Sequence, residues 1–144
     1  MNYRMIFYIT GKILCLGALM LAAPLAVSLI YKDGNVYAFL ISAVCFLAAG
    51  GLCMCTRPKN KSIYAREGMM IVALSWVLFS FFGGLPFWLS REIPHLYDCF
   101  FETVSGFTTT GSTILTNVEA LSKSMLFWRS FTHWIGGMGV LVFA

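Results

Sequence analysis

Seven consecutive residues carry the densest polar chemistry in the chain: Phe107-Thr108-Thr109-Thr110-Gly111-Ser112-Thr113. Carbonyls and hydroxyls so concentrated can replace the hydration shell of a cation, which is how a cation filter works. Gly111 can take a positive φ and let neighbouring carbonyls turn toward one axis. Thr108, Thr109 and Thr110 are β-branched and stiff, so they hold a geometry once packed. Upstream, Asp98 and Glu102 lie four apart, on one face of a short helix. They read as an electronegative outer mouth that attracts cations, or as solvated acids at the positive end of the helix dipole. Glu102 is the deeper of the two, and an ion pair with Arg129 is a third reading. Arg129 could instead snorkel to the outer interface. His133, one turn further on, could hydrogen-bond a neighbouring helix or the loop backbone.

Other chemistries find little footing. His95 and His133 are the only histidines, and neither has the spaced partner of a hydrolase or metal motif. The chain reads as a non-enzyme. It has no phosphate-binding glycine loop. The five cysteines include one C-x-C pair, Cys53 and Cys55, without the four ligands of a zinc site. No dense basic stripe points to nucleic acid.

Composition explains what must position the loop. Hydrophobic residues make up 59% of the 144 and charged residues only 11%. A soluble domain of this size has too much surface to hide so much apolar matter, and disorder needs the opposite composition. The fold class is therefore an all-α membrane protein. Residues 13–31, 36–55 and 68–90 are uncharged runs of 19, 20 and 23 residues. As helices they span about 28, 30 and 34 Å, matching a hydrocarbon core of about 30 Å. Residues 125–144 are apolar apart from Arg129 and His133. The first run, preceded by Arg4 and Lys12, is longer than a signal-peptide core and is read as a retained helix.

The loops give an orientation. Arg4, Lys12, Arg57, Lys59, Lys61 and Arg66 fall on one side, and Lys32, Arg91, Lys123 and Arg129 on the other with nearly all the acids. The positive-inside rule places the N-terminus and the basic loop in the cytoplasm. The short turn Lys32-Asp33-Gly34-Asn35 then lies outside and closes a helix hairpin. Trp88, Trp128 and Trp134 lie toward the outer ends, as interfacial aromatics do.

Residues 91–123 do not fit a simple span. A Pro-containing bend leads to an amphipathic segment from residue 96 to 106, only about 16 Å long. The threonine-glycine run follows, then a polar return. Such a segment enters and leaves on one face, as a re-entrant loop. Irregular backbone at membrane depth is tolerated where it is buried in protein or lines a water-filled path. An ordinary surface loop would also supply these polar residues, and the order of long helix, half-length helix, Thr-Gly loop and long helix is more specific than any one part. Gly136, Gly137 and Gly139 in the last helix allow close helix approach or form a hinge.

The runs FFETVSGFTTTGSTI (100–114) and FWRSFTHWIGGMGVLV (127–142) resemble the first pore repeat of TrkH/KtrB-type potassium uptake proteins. The resemblance covers essentially the whole chain. It implies an N-terminal transmembrane hairpin (1–55), a basic cytoplasmic loop (56–67) and one potassium-channel-like helix–pore loop–helix repeat (68–144). The pore helix would run from about 96 to 107 and the filter from about 108 to 113, with the last helix incomplete. Four such repeats would surround the pore. Thr109, Thr110, Gly111, Ser112 and Thr113 would form this repeat's filter strand, with Thr108 at its inner edge and K+ held at Thr109, Thr110 and Gly111. The implied function is potassium uptake across the bacterial plasma membrane; the alternative is a structural or assembly subunit without an ion path. No covalent cofactor is implied, and K+ is the transported ion. Implied partners are lipid, the remaining repeats, a cytoplasmic nucleotide-binding regulatory ring and a second copy in a homodimer. Because the chain stops within an apolar helix, it reads as the N-terminal portion of a longer protein.

Overall fold

A computed structural model describes the backbone of residues 2–143 and the side chains of residues 2–139. Among the described residues every regular element is helical. Helices α1 (Tyr3–Met20) and α2 (Ala22–Tyr31) form one 29-residue span broken at Leu21. The break has a cause: Pro24 lacks an N–H for the preceding turn and crowds its carbonyls. This span starts at Tyr3, ten residues before the charge-free run, and so takes in Arg4 and Lys12. The Lys12 ammonium lies 4.7 Å from the Tyr8 ring centroid, so its charge has a partner close by.

Lys32, at φ 52°, ends α2, and Gly34, at φ 79°, completes the turn into α3 (Val36–Met54). Helix α4 (Ala65–Gly83) continues into the short α5 (Leu85–Leu89). Gly84 and Pro86 interrupt what hydropathy alone reads as one helix. Three segments, Tyr3–Tyr31, Val36–Met54 and Ala65–Leu89, are long and apolar enough to cross a membrane. Helix α6 (Leu96–Phe107) has 12 residues, about 18 Å of rise and half a hydrocarbon core. A single 3-10 turn (Val118–Ala120) precedes α7 (Lys123–Phe143).

The core is aromatic and lies where α3, α4, α6 and α7 meet. Phe79 packs edge-on to both Phe46 (5.4 Å) and Phe107 (5.7 Å). Trp128 is 1% exposed and donates its indole N–H to the Gly83 carbonyl at 2.9 Å. That corrects the expectation of an interfacial tryptophan: a buried carbonyl at the α4 end gives the indole its partner inside the protein. Apolar side chains facing away from this core are exposed, such as Leu19, Ile30 and Leu52. On the outer face of a membrane helix, that exposure faces lipid or further protein.

Two polar clusters mark opposite ends of the bundle. At one, the Glu67 carboxylate accepts the N–H groups of Asn2 and Tyr64, and the Asn2 amide donates to the Asn60 carbonyl. At the other, Asp33, Asn35, Glu92, Ser122 and Ser124 share hydrogen bonds. The basic loop and the N-terminus therefore share one end, and the α2–α3 turn, the bend before α6 and the start of α7 share the other.

Candidate functional site

Helix α6 is seated by contacts too close for larger residues. A Cβ on Gly83 would lie 2.9 Å from Thr103, and one on Gly84 3.1 Å from the Cys99 carbonyl. On the opposite side a Cβ on Gly106 would overlap Thr132, and one on Gly136 would overlap the Phe107 carbonyl. Glycine thus brings α4 and α7 against the two flanks of the short helix α6. Gly136 is in close packing, and a Cβ on Gly139 would lie 3.2 Å from the Trp76 ring. Gly137 meets nothing within 4 Å among the described residues.

Helix α6 ends in a Schellman motif. The Thr110 N–H reaches the Ser105 carbonyl and the Thr109 N–H the Gly106 carbonyl, both at 3.0 Å. The motif needs a left-handed residue at its centre, and Thr109 occupies that position with φ 56°. Glycine is usual there; a β-branched residue costs about 1–2 kcal/mol. Sequence reasoning missed this strain, because threonine carries no signal for a left-handed conformation. It did locate the loop's other left-handed residue: Gly111 has φ 80°, which glycine adopts without strain. Backbone strain of this kind gathers at functional sites, where the surroundings over-determine it.

Behind the strand, α6 holds it. The Ser105 hydroxyl donates to the Ser112 carbonyl at 2.6 Å. Glu102, 2% exposed, accepts the Ile114 N–H at 2.8 Å and the Thr113 hydroxyl through the same oxygen. Its other oxygen lies 3.2 Å from Arg129 Nε. Glu102 is thus drawn into the protein and away from an open mouth, in the ion pair with Arg129 that was one of its three readings. Asp98 is half-buried in the first turn of α6, where its charge suits the helix dipole. His133 Nδ1 lies 3.0 Å from the Arg129 carbonyl of its own helix, so its bond is local and does not reach the loop.

In front, the strand is open. Residues 108–113 are all exposed. Among the described residues no donor reaches the carbonyls of Thr109, Thr110, Gly111 or Thr113. The Thr108 hydroxyl bonds the Val104 carbonyl at 2.6 Å and lies 2.8 Å from the Thr110 hydroxyl. Thr108 and Ser112 already lend their carbonyls to Thr109 and Ser105. The structure therefore brings 108–113 together as one strand and separates Asp98 and residues 136–139 from it. Four unpaired carbonyls beside a helix C-terminus make an electronegative wall suited to a cation without its water.

Comparison with known proteins gives a consistent picture. The family profile described as "TrkH: Cation transport protein" matches residues 35–144. The chain is 37% identical over 147 aligned residues to the Trk system potassium uptake protein TrkH of Vibrio parahaemolyticus, covering all of this chain and 30% of that relative. It is 40% identical to the TrkH protein of Escherichia coli (strain K12), again with 30% of the relative covered. It superposes on the crystal structure of the potassium transporter TrkH from Vibrio parahaemolyticus with a TM-score of 0.91 at 36% identity, over 99% of this chain and 31% of that one. The chain thus spans about a third of the length of these relatives.

Proposed function

The chain belongs to the TrkH family of cation transport proteins, and from that premise we propose that it supplies one of four filter strands of a bacterial potassium uptake protein. A single strand cannot surround an ion, and an ion left unpaired in a low dielectric faces a penalty of tens of kcal/mol. The path is therefore completed by further repeats of the intact protein. Potassium sheds water at the carbonyls of Thr109, Thr110 and Gly111, with Thr113 at the outer end, and moves inward with the membrane potential. That drive is worth about 2.3 kcal/mol per charge per 100 mV. The N-terminus and the basic loop face the cytoplasm, where a nucleotide-binding regulatory ring docks, and the intact protein pairs with a second copy in the same membrane as a homodimer. Asp98 stands toward the outer approach and adds negative potential there.

The observation that carries this reading is the exposed strand in which, among the described residues, the carbonyls of Thr109, Thr110, Gly111 and Thr113 lack protein donors, held from behind by Ser105 and Glu102. Carbonyls left free in a folded chain are rare away from water or a ligand. The test is Gly111→Val in the full-length protein, expressed in cells that depend on it for potassium. A β-branched residue at φ 80° costs about 1–2 kcal/mol or more, so potassium uptake should fall about tenfold or further while the protein still reaches the membrane. Undiminished uptake would return the loop to a structural role.

A further inference from the structure

The α2–α3 turn lies away from the filter strand, yet its polar side chains are directed at the start of α7. Asp33 Oδ2 accepts the Ser124 hydroxyl at 2.5 Å and the Ser124 N–H at 3.1 Å. Its Oδ1 accepts the Ser28 hydroxyl at 2.5 Å and the Asn35 N–H at 3.3 Å. Asn35, 8% exposed, donates its side-chain amide to the Ser122 hydroxyl at 2.6 Å. From the bend before α6, Glu92 takes the Ser122 N–H at 2.9 Å and the Ser122 hydroxyl at 3.2 Å. Beside them the Lys123 ammonium lies 5.5 Å from the Tyr31 ring centroid.

The first N–H groups of a helix have no partner within it, and a carboxylate near them is stabilising. Helix α7 has no acidic residue in its first turn. Ser122, the residue placed to cap it, turns its hydroxyl to Glu92 and Asn35 instead. The cap at Ser124 comes from Asp33, 91 residues earlier in the chain.

What this cap holds leads back to the filter. Arg129 is five residues beyond Ser124, about 8 Å along the helix. Its Nε meets Glu102, whose other oxygen holds Thr113 and the Ile114 N–H. Asp33, the first turns of α7, Arg129, Glu102 and the end of the filter strand thus form one continuous series of contacts. We propose that Asp33 is a positioning residue for ion passage, fixing the start of α7 and through it the outer end of the filter. The inference rests on the transport reading above and assigns the α1–α3 hairpin a role in that transport.

The experiment uses the full-length protein in lipid vesicles, comparing wild type with Asp33→Ala, Asp33→Asn, Ser124→Ala and the Asp33→Ala/Ser124→Ala double variant. Potassium flux is read as half-saturating concentration and as potassium-to-sodium ratio, and amide exchange is followed at Ser124 and Ile114. Asp33→Ala should raise the half-saturating potassium by about three- to tenfold or lower the ion ratio comparably. The double variant should add little to either single change, because both cut one link. Exchange should quicken at Ile114 as well as at Ser124. A wild-type half-saturation and ratio in Asp33→Ala, with only less folded protein, would overturn the proposal, as would faster exchange at Ser124 with Ile114 unchanged. If Asp33→Ala fails to fold, Asp33→Asn keeps one acceptor oxygen and is judged by the same readings. Absence of potassium flux from the wild-type vesicles would sink the transport reading instead, while amide exchange would still decide the linkage.

Discussion

Thr109 is the residue at which local preference and tertiary demand conflict most sharply. Its φ of 56° closes the Schellman motif and turns the chain from α6 into the exposed segment 108–113. Thr109→Gly removes the strain and should stabilise the protein by up to about 1 kcal/mol, a gain tempered by glycine's freedom when unfolded. The same freedom loosens the strand, so potassium-over-sodium preference should fall as melting temperature rises; parallel melts and flux ratios check the pair. Glu102 is the second such residue. Truncating one partner of a buried pair costs about 3–5 kcal/mol, because the other charge is left uncompensated. Glu102→Ala should therefore melt far below wild type, while adding Arg129→Met should recover part of the loss in a double-mutant cycle.

Between elements, contact is made by glycine and by carboxylate caps. The α7 glycines separate clearly: Gly136 lies on the Phe107 backbone, while Gly137 faces open space among the described residues. Gly136→Ala should part α6 from α7 and depress the melting temperature. Gly137→Ala should leave the packing intact and add about 0.5–1 kcal/mol of helix stability. Thermal melts of the two variants side by side would settle the contrast. The Asp33 cap adds a pH signature. Burial raises its pKa, but hydrogen bonds from Ser124, Ser28 and Asn35 outweigh burial and hold it below its usual 3.8. Glu92 also reaches this junction, and Lys32 and Lys123 adjoin it in sequence. A depressed carboxylate pKa contributes stability that is complete above the unfolded value and is lost as pH falls through the folded one. Melting temperature should thus be flat from pH 7 to about 5 for this group and decline below about 4. Asp33→Asn should flatten that acid limb.

At the scale of the whole molecule, the two polar ends of the bundle carry opposite tendencies. The basic loop and the N-terminus share one end, and Asp33, Glu92 and the start of α7 share the other. If the basic end is cytoplasmic, as positive-inside counting requires, the exposed thiol of Cys55 should react with an impermeant maleimide only from the inside. A cysteine placed at the exposed Glu119 should react only from the outside. Labelling of both sites from one face would refute the re-entrant path, and labelling of Cys55 only from outside with residue 119 only from inside would reverse the orientation.

Much of this was legible in the chain itself. Long uncharged runs declare membrane helices because a backbone in hydrocarbon must satisfy its own hydrogen bonds. A half-length amphipathic segment declares the short helix α6, and Gly111 announces its own positive φ. These are properties of composition and spacing along a few turns of backbone. The left-handed Thr109, the inward turn of Glu102, the burial of Trp128 and the capping of α7 by Asp33 were decided only in three dimensions. Each depends on a partner 3 to 91 residues away, and no local preference records which partner a folded chain will bring within hydrogen-bonding distance.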